Sequence, residues 1–514
     1  MRSLLPPLAL VAVLAAAGCT GTTTPNAEGT ADGSSIVLAD ATEPATLNPL
    51  LGYGRDGVSK IYDGLVEHRA DRSLRPQLAA DLPQPAADGL SWTVRLRDDV
   101  KFADGSAFGP EDVVATYRAL LDPASGSTER AAFGSLAGVE QLDVRTVRFA
   151  LTEPWAAFPH QLVLGVLPSE AFSVPLRDVR PVGTGPYKLV DWRKGDRMVL
   201  ESNPAHFGGE PRIRRLTVVF VPDDNTRGQR MQAGEFDGVE LPPRLAQPFA
   251  NASGMRVVTH RSTDLRAVTL PAGPVTGDPA VRMALNHAVN RKGVVDNLLG
   301  GNGSPAATPI PDTLPEFYDP AASFAYDKAQ AELLLDQAGW ARGADGVRAR
   351  DGVPARFTLM YPIGDVVRAD LATAFVADAK AVGVDVQLAG LGWDAIAPRL
   401  GADALLHGGG TPFDPDLTAY QPLHTGNPWG YSNPRVDAAL DAGRRLLDPA
   451  QRAAAYRQLQ HAYLAAPGMV VLAAVQHTYV VRDNWTGYQE VVDPHAHGAL
   501  SWGPWWNLEK WTAR

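Results

Sequence analysis

The sequence predicts an α/β protein with more than one lobe. Strands and helices alternate from residue 36 onwards, and 514 residues exceed what a single hydrophobic core usually serves. No internal repeat at solenoid spacing is present, which sets aside stacked-repeat architectures. Hydrophobic content of 45% with 20% charged residues supports a packed globular body rather than a disordered chain.

The elements follow in order. Met1-Arg2 precedes an apolar stretch from Leu4 to Ala17, which ends in Ala16-Ala17-Gly18-Cys19. A short positive start, an apolar stretch too short to span a bilayer comfortably and small residues before a cut site predict a secretory signal over 1–18. Cys19 is the single cysteine. Its setting resembles a lipobox, in which the thiol takes a diacylglycerol and becomes the mature N-terminus; Ala16 departs from the Leu usual there. An ordinary cleaved signal with a bystander cysteine is the alternative. The polar stretch 19–35 is expected to be a flexible lipidated tether. Ile36-Val37-Leu38-Ala39 reads as the first strand. Period-two alternation marks strands at Ser91–Arg97 and Val147–Leu151. Between them Pro110 opens a helix that places Val113, Val114, Tyr117, Leu120 and Leu121 on one face. Asp278-Pro279 opens a helix carrying Val281, Leu285, Ala288 and Val289, and Asp448-Pro449 opens another through Tyr456, Leu459 and Tyr463.

Composition narrows the function classes. A sole thiol consumed by lipid leaves none for disulfides, so stability outside the cytoplasm must come from the core. A net charge of -10 without charge blocks argues against nucleic acid and anionic lipid as partners. No Gly-x-Ser-x-Gly elbow, His-Glu-x-x-His helix or phosphate-cradling Gly-x-x-x-x-Gly-Lys-Ser/Thr is present. Gly301-Asn302-Gly303 with Ala306 mimics a dinucleotide loop, but it follows a helix-like run rather than a strand. The chain therefore reads as a binding protein without a cofactor, not an enzyme.

Several segments in one order resemble the solute-binding proteins of peptide and nickel ABC importers, family 5. They are Ile61-Tyr62-Asp63-Gly64-Leu65-Val66, Phe102-Ala103-Asp104-Gly105-Ser106, Pro181–Leu189 with its Gly183-Thr184-Gly185-Pro186-Tyr187, and Asn203–Gly209. Met231–Asp237, Val281–Arg291 and Gly430–Asp437 complete the set. Read alone, Gly183 and Gly185 predict a turn that glycine accommodates easily, and Asp104-Gly105 and Gly208-Gly209 predict hairpin turns. These motifs are expected to hold the fold rather than touch ligand.

The resemblance implies a two-lobed periplasmic-binding-protein type II fold with an extra subdomain in the first lobe. Lobe 1 would span 36–268 with the insert at about 55–175, lobe 2 would span 269–475, and 476–514 would return to lobe 1. The hinge candidates are Ala267–Leu270 and roughly Ala473 to Tyr479. Trp485, Trp502, Trp505, Trp506 and Trp511 are expected to pack within the core and lobes. The partners implied are an ABC permease, the membrane through the lipid anchor, and a small peptide or metal chelate, bound by a monomer on the extracytoplasmic face.

Peptide binders of this family commonly hold the peptide amine with an Asp, and Thr411 stands there in Gly408–Asp416. Asp414 could substitute only along a different loop path. The same stretch is closer to the nickel-binding branch, which carries a Trp where Gly409 stands here. His495-x-His497 could chelate nickel or copper through imidazole, although a surface loop that binds nothing is the simpler reading. The ligand-binding candidates are Tyr53, Gly54 and Trp155 from the first lobe, with Trp393, Gly409, Gly410, Thr411, Phe413 and Asp414 from the second. Peptide is the first choice and a nickel or other metal chelate the second. A peptidase and a signalling receptor are the competing classes.

Overall fold

The computed structural model describes residues 33–495 and 498–514. The expected secretory signal, the expected lipidation site Cys19 and His497 lie outside the described residues.

Two mixed sheets organise the chain. The first is seven-stranded, in the order Met255–His260, His477–Arg482, Gly238–Glu240, Ser35–Asp40, Arg215–Phe220, Arg197–Ser202, Tyr187–Arg193. Ser35–Asp40 lies at its centre, parallel to Arg215–Phe220, with Ile36 opposite Leu216 and Leu38 opposite Val218. All four side chains are buried, as the alternation of this strand requires. The second sheet is six-stranded, in the order Gly303–Pro305, Met469–Val475, Leu265–Thr269, Ala404–Gly409, Arg356–Pro362, Asp385–Leu391. We call the bodies built on these sheets the first and second lobes. A four-stranded sheet of Gln84–Pro85, Ser91–Arg95, Thr146–Leu151 and Leu136–Gln141 joins the helix Pro110–Leu121 as a further layer.

Helix starts follow their capping chemistry. The Asp278 side chain accepts from the N–H groups of Ala280 and Val281, and Pro279 occupies the first turn, where its missing N–H costs nothing. Val281, Ala284, Leu285 and Ala288 then form the buried stripe. Asp448 caps Pro449–Ala465 in the same way, burying Tyr456, Leu459 and Tyr463.

The motifs of the first lobe that carry the family resemblance interlock around one polar knot. The Gly185 N–H donates to the Ile61 carbonyl at 2.9 Å, and the Tyr187 N–H to the Lys60 carbonyl at 2.9 Å. The Thr184 hydroxyl donates to Asp63 at 2.9 Å, and the Asn203 amide to the Gly185 carbonyl at 2.9 Å. Gly183 and Gly185 are glycine for closeness of approach rather than for an unusual φ. A Cβ on Gly185 would stand 2.6 Å from the Ile61 carbonyl carbon, and one on Gly183 would overlap the Ile61 oxygen.

Among the described residues the chain crosses between the main sheets twice. Met255–His260 belongs to the first sheet and Leu265–Thr269 wholly to the second, so the outward crossing is 261–264, before the 268/269 boundary expected from sequence. Ala267–Leu270 is therefore strand rather than hinge up to Thr269. A run buried on both faces carries no sign of which sheet it joins. The return crossing is Gln476, between Met469–Val475 and His477–Arg482. All five C-terminal tryptophans are buried, Trp485, Trp505 and Trp511 in the main core of the first lobe. Among the described residues no helix is long and apolar enough to cross a membrane.

Candidate functional site

The segment that leaves the strand Ala404–Gly409 and enters the helix Pro415–Leu423 runs along the seam between the lobes. Gly410 has φ +141, and a Cβ there would overlap the Thr263 carbonyl of the outward crossing, so glycine alone passes at this point. Its carbonyl accepts from the His495 N–H at 2.8 Å, which ties the returning chain to the same spot. Thr411 follows, its N–H donating to the Thr418 hydroxyl at 3.1 Å, while its own hydroxyl oxygen is buried without a partner.

Beyond it the lobes are in contact. Phe413 stacks on His68 of the first lobe, with ring centroids 3.3 Å apart, and meets Trp502 edge-on at 5.1 Å. Val58 and Ala70 close the cluster with Val491 and Trp506. Val58 and Lys60 hold φ of +50° and +67°, a conformation that a β-branched residue takes only under strain. Lys60 is fixed by bonds from its Nζ to the Trp505 and Trp506 carbonyls, at 2.6 and 2.8 Å. Burial lowers its pKa to about 8.

The carboxylates of the segment are fully engaged. Asp414 accepts from both Nη atoms of Arg452 at 2.8 Å and from the Asp416 N–H at 2.9 Å. Burial works against its charge, but Arg452 outweighs it and holds the pKa below the usual carboxylate value. Asp416 accepts from Arg444 at 3.1 Å twice and from the Trp155 indole at 2.8 Å, bridging the lobes. Here burial wins over Arg444 and raises the pKa. Neither carboxylate is free to meet a ligand ammonium.

Basic side chains gather at the other end, around Gly408. Arg266 stands directly opposite Gly408 in the neighbouring strand. A Cβ at Gly408 would meet Arg368 Nη2 at 2.5 Å, His495 Cε1 at 2.5 Å and Arg266 Nη1 at 2.9 Å. Arg266 donates to Asp264 at 2.6 Å, and Arg368 to Asp365 at 2.8 Å. The His495 ring meets Asp264 through Nδ1 at 2.7 Å and Arg368 through Nε2 at 3.3 Å. Both its nitrogens are thus engaged within the protein, which counts against the chelating alternative for His495 and His497. Burial, then the nearby His495 and Arg368, lower the His407 pKa to about 4, so this imidazole is neutral at pH 7. Asp264 is fully buried, yet Arg266 and His495 hold its pKa well below the usual value.

The nine expected ligand residues are thus not one cluster. Gly409, Gly410, Thr411, Phe413 and Asp414 share the seam. Trp155 reaches it through Asp416 and is 1% exposed. Tyr53 is buried, its hydroxyl donating to the Ser59 carbonyl at 2.5 Å, and Gly54 with φ +63 turns the chain beside Ser59. Trp393 is 56% exposed at the start of a short helix after Asp385–Leu391. Sequence reading passed over Arg266 and Arg368. The available signal was a lone arginine inside the otherwise apolar strand Leu265–Thr269.

A sequence profile described as bacterial extracellular solute-binding proteins, family 5, matches residues 73–431. Protein XP55 of Streptomyces lividans is 42% identical over 523 residues, covering 98% of this chain and 96% of the relative. The oligopeptide-binding protein AppA of Bacillus subtilis is 25% identical over 514 residues, covering 93% of this chain and 91% of that protein. The crystal structure of NikZ from Campylobacter jejuni in complex with Ni(L-His) superposes with a TM-score of 0.85 at 26% identity, covering 93% of this chain and 99% of NikZ. With the two-sheet fold, the paired crossings and the profile over most of its length, the chain belongs to the family 5 extracellular solute-binding proteins of ABC importers.

Proposed function

We propose that this protein captures a peptide between its lobes outside the cytoplasmic membrane, held there by a lipid on Cys19, and delivers it to an ABC permease. The supporting observation is the course of Gly408–Asp416: one short segment touches the outward crossing at Thr263, the returning chain at His495 and the first lobe at His68 and Trp155. A ligand seated on Gly409, Gly410, Thr411 and Phe413 would therefore act on the outward crossing, the returning chain at His495 and the first lobe together. Tyr53, Gly54 and Trp393 would line the approach. Asp414 would serve the site by fixing the loop through Arg452, not by contacting ligand.

The test is native mass spectrometry of the protein after incubation with a mixed pool of short peptides. A receptor retains peptides and returns them at unchanged mass. Cleaved products would mean an enzyme, and no retained peptide would refute peptide capture. Cys19→Ser should move the protein from the membrane to the soluble fraction, and persistence in membranes after a high-salt wash contradicts the anchor.

A metal chelate is the second reading. It is favoured by the likeness to NikZ, solved with Ni(L-His), and by the neutral, partly exposed His407 imidazole beside Gly409. Retention of nickel only when L-histidine is present would choose it over peptide.

A further inference from the structure

Resting on that reading, we infer that the insert of the first lobe is a two-point catch on the second lobe, which sets how much of the closure a ligand must itself supply. The first point follows the strand Thr146–Leu151. The Ala156 N–H donates to the Arg444 carbonyl at 2.8 Å, and Glu153 accepts from Arg445 Nε at 2.9 Å. The Arg444 guanidinium lies 5.3 Å over the Trp155 ring. A Cβ on Gly89 would stand 3.1 Å from Pro154 and 3.4 Å from Leu447, so the two surfaces meet closely here. The second point is Arg72, in the turn between the paired strands Val66–His68 and Leu74–Pro76. Its Nη1 donates to the Thr313 carbonyl at 2.8 Å, and its Nη2 lies 3.5 Å from the Glu316 carboxylate. Arg72 holds a φ of +72°, which few residues other than glycine adopt.

Both targets belong to the second lobe. Val436 and Leu440 of the helix Pro434–Arg445, and Ile310 and Leu314 beside Thr313, share one core with Leu265 and Ala267 of the second sheet. The Thr313 hydroxyl in turn donates to the Ser262 carbonyl at 3.2 Å, so the Arg72 point is linked to the outward crossing. Every donor and acceptor in the two points is a protein group, and the catch therefore engages without any ligand atom. Its ion pairs are also accessible to water. Arg445 and Glu153 are 52% and 27% exposed, Arg72 and Glu316 20% and 53%. Exposed pairs are individually weak and screened by salt. Weak contacts made together at separate points bias an open–closed equilibrium without freezing it, and a ligand then completes the shift.

Distances between two spin labels, measured by pulsed electron resonance on the ligand-free full chain, decide the inference. Cys19→Ser removes the single native thiol. Val144→Cys, 81% exposed on the insert, and Leu333→Cys, 47% exposed on the second-lobe helix Lys328–Gln337, then carry the labels. The unliganded protein should show a short and a long distance. The ratio of short to long should fall at least about threefold when Glu153→Gln and Glu316→Gln are combined. It should fall likewise between about 0.1 M and about 1 M NaCl. Glu235→Gln, whose partner Arg230 lies in the same lobe, should leave the ratio unchanged. A ratio indifferent to the paired variants and to salt, or moved equally by Glu235→Gln, overturns the catch. The receptor reading survives that result, because the sample holds no ligand. A ratio that obeys the variants and salt, yet shifts with neither the peptide pool nor nickel with L-histidine, supports the catch and tells against the receptor reading alone. Should the paired variant fail to fold, the salt series on the protein with native Glu153 and Glu316 decides.

Discussion

At Asp414 and Asp416 all four carboxylate oxygens have partners, two arginines and an indole among them, whereas at Gly408, six residues earlier, two arginines leave three donors unmet. The two ends of one segment are thus built on opposite terms. The satisfied end resembles the polar knot at Asp63, Thr184 and Asn203: it fixes the path of the chain. The unsatisfied end keeps hydrogen-bonding capacity in reserve. Burial alone does not distinguish the two ends, since Asp264 and Asp414 are both nearly inaccessible.

If this contrast is right, substitution at the two ends should act on different measurements. The largest effect is expected for Arg452→Leu, which strands Asp414 as a buried charge and should cost about 3–5 kcal/mol of stability, read from the urea midpoint. Arg368→Gln, at the other end, should change stability by less than about 1 kcal/mol while altering binding. Equal losses from the two would break the comparison. Trp155→Phe removes the indole donor to Asp416, a bond to a charged acceptor worth about 1.5–3 kcal/mol, together with part of a buried ring. Because that bond joins the lobes, its loss should appear as a larger radius of gyration in scattering.

The ends should also titrate on opposite sides of neutrality. His477, beside the crossing, lies between Asp264 and Asp493; burial opposes its charge, but these carboxylates raise its pKa to about 10. Its contribution is complete below the unfolded value of about 6.5 and is lost as pH rises through the folded one. Asp414, with a lowered folded pKa, contributes above the unfolded value of about 3.9 and loses that contribution as pH falls through the folded one. Melting temperature across pH should therefore decline on the alkaline side in a way that His477→Gln flattens. The smallest effect concerns the peptide amine. With Thr411 where the resemblance expects the amine-binding Asp, and Asp414 and Asp416 both committed to arginines, N-acetylation of a bound peptide should cost less than about 1.4 kcal/mol, or tenfold in Kd. A hundredfold preference for the free amine would mean that another carboxylate has taken over.

Local patterns carried much of the fold. Asp-Pro pairs at 278–279 and 448–449 open helices as their capping chemistry demands, and the alternation of Ser91–Arg95 and Thr146–Leu151 matches paired strands. The resemblance carried the family. What the sequence did not disclose depends on long-range partners. Arg444 and Arg452 lie on helices 28 and 38 residues beyond the aspartates that they neutralise, so nothing near Asp414 announces that it is spoken for. The crossing at 261–264 was hidden because Leu265–Thr269 is buried throughout. Gly183 and Gly185 were read as turn formers, whereas their reason lies in the backbone at Ile61, more than a hundred residues away.

The account stands or falls on closure around a ligand. Small-angle scattering of the protein freed of ligand by unfolding and refolding, before and after addition of the peptide pool or of nickel with L-histidine, tests it most directly. The radius of gyration should fall on addition of one of them, with a higher melting temperature, by about 2.7 kcal/mol of added stability at a hundredfold excess over Kd. An unchanged radius and melting temperature with both would contradict it.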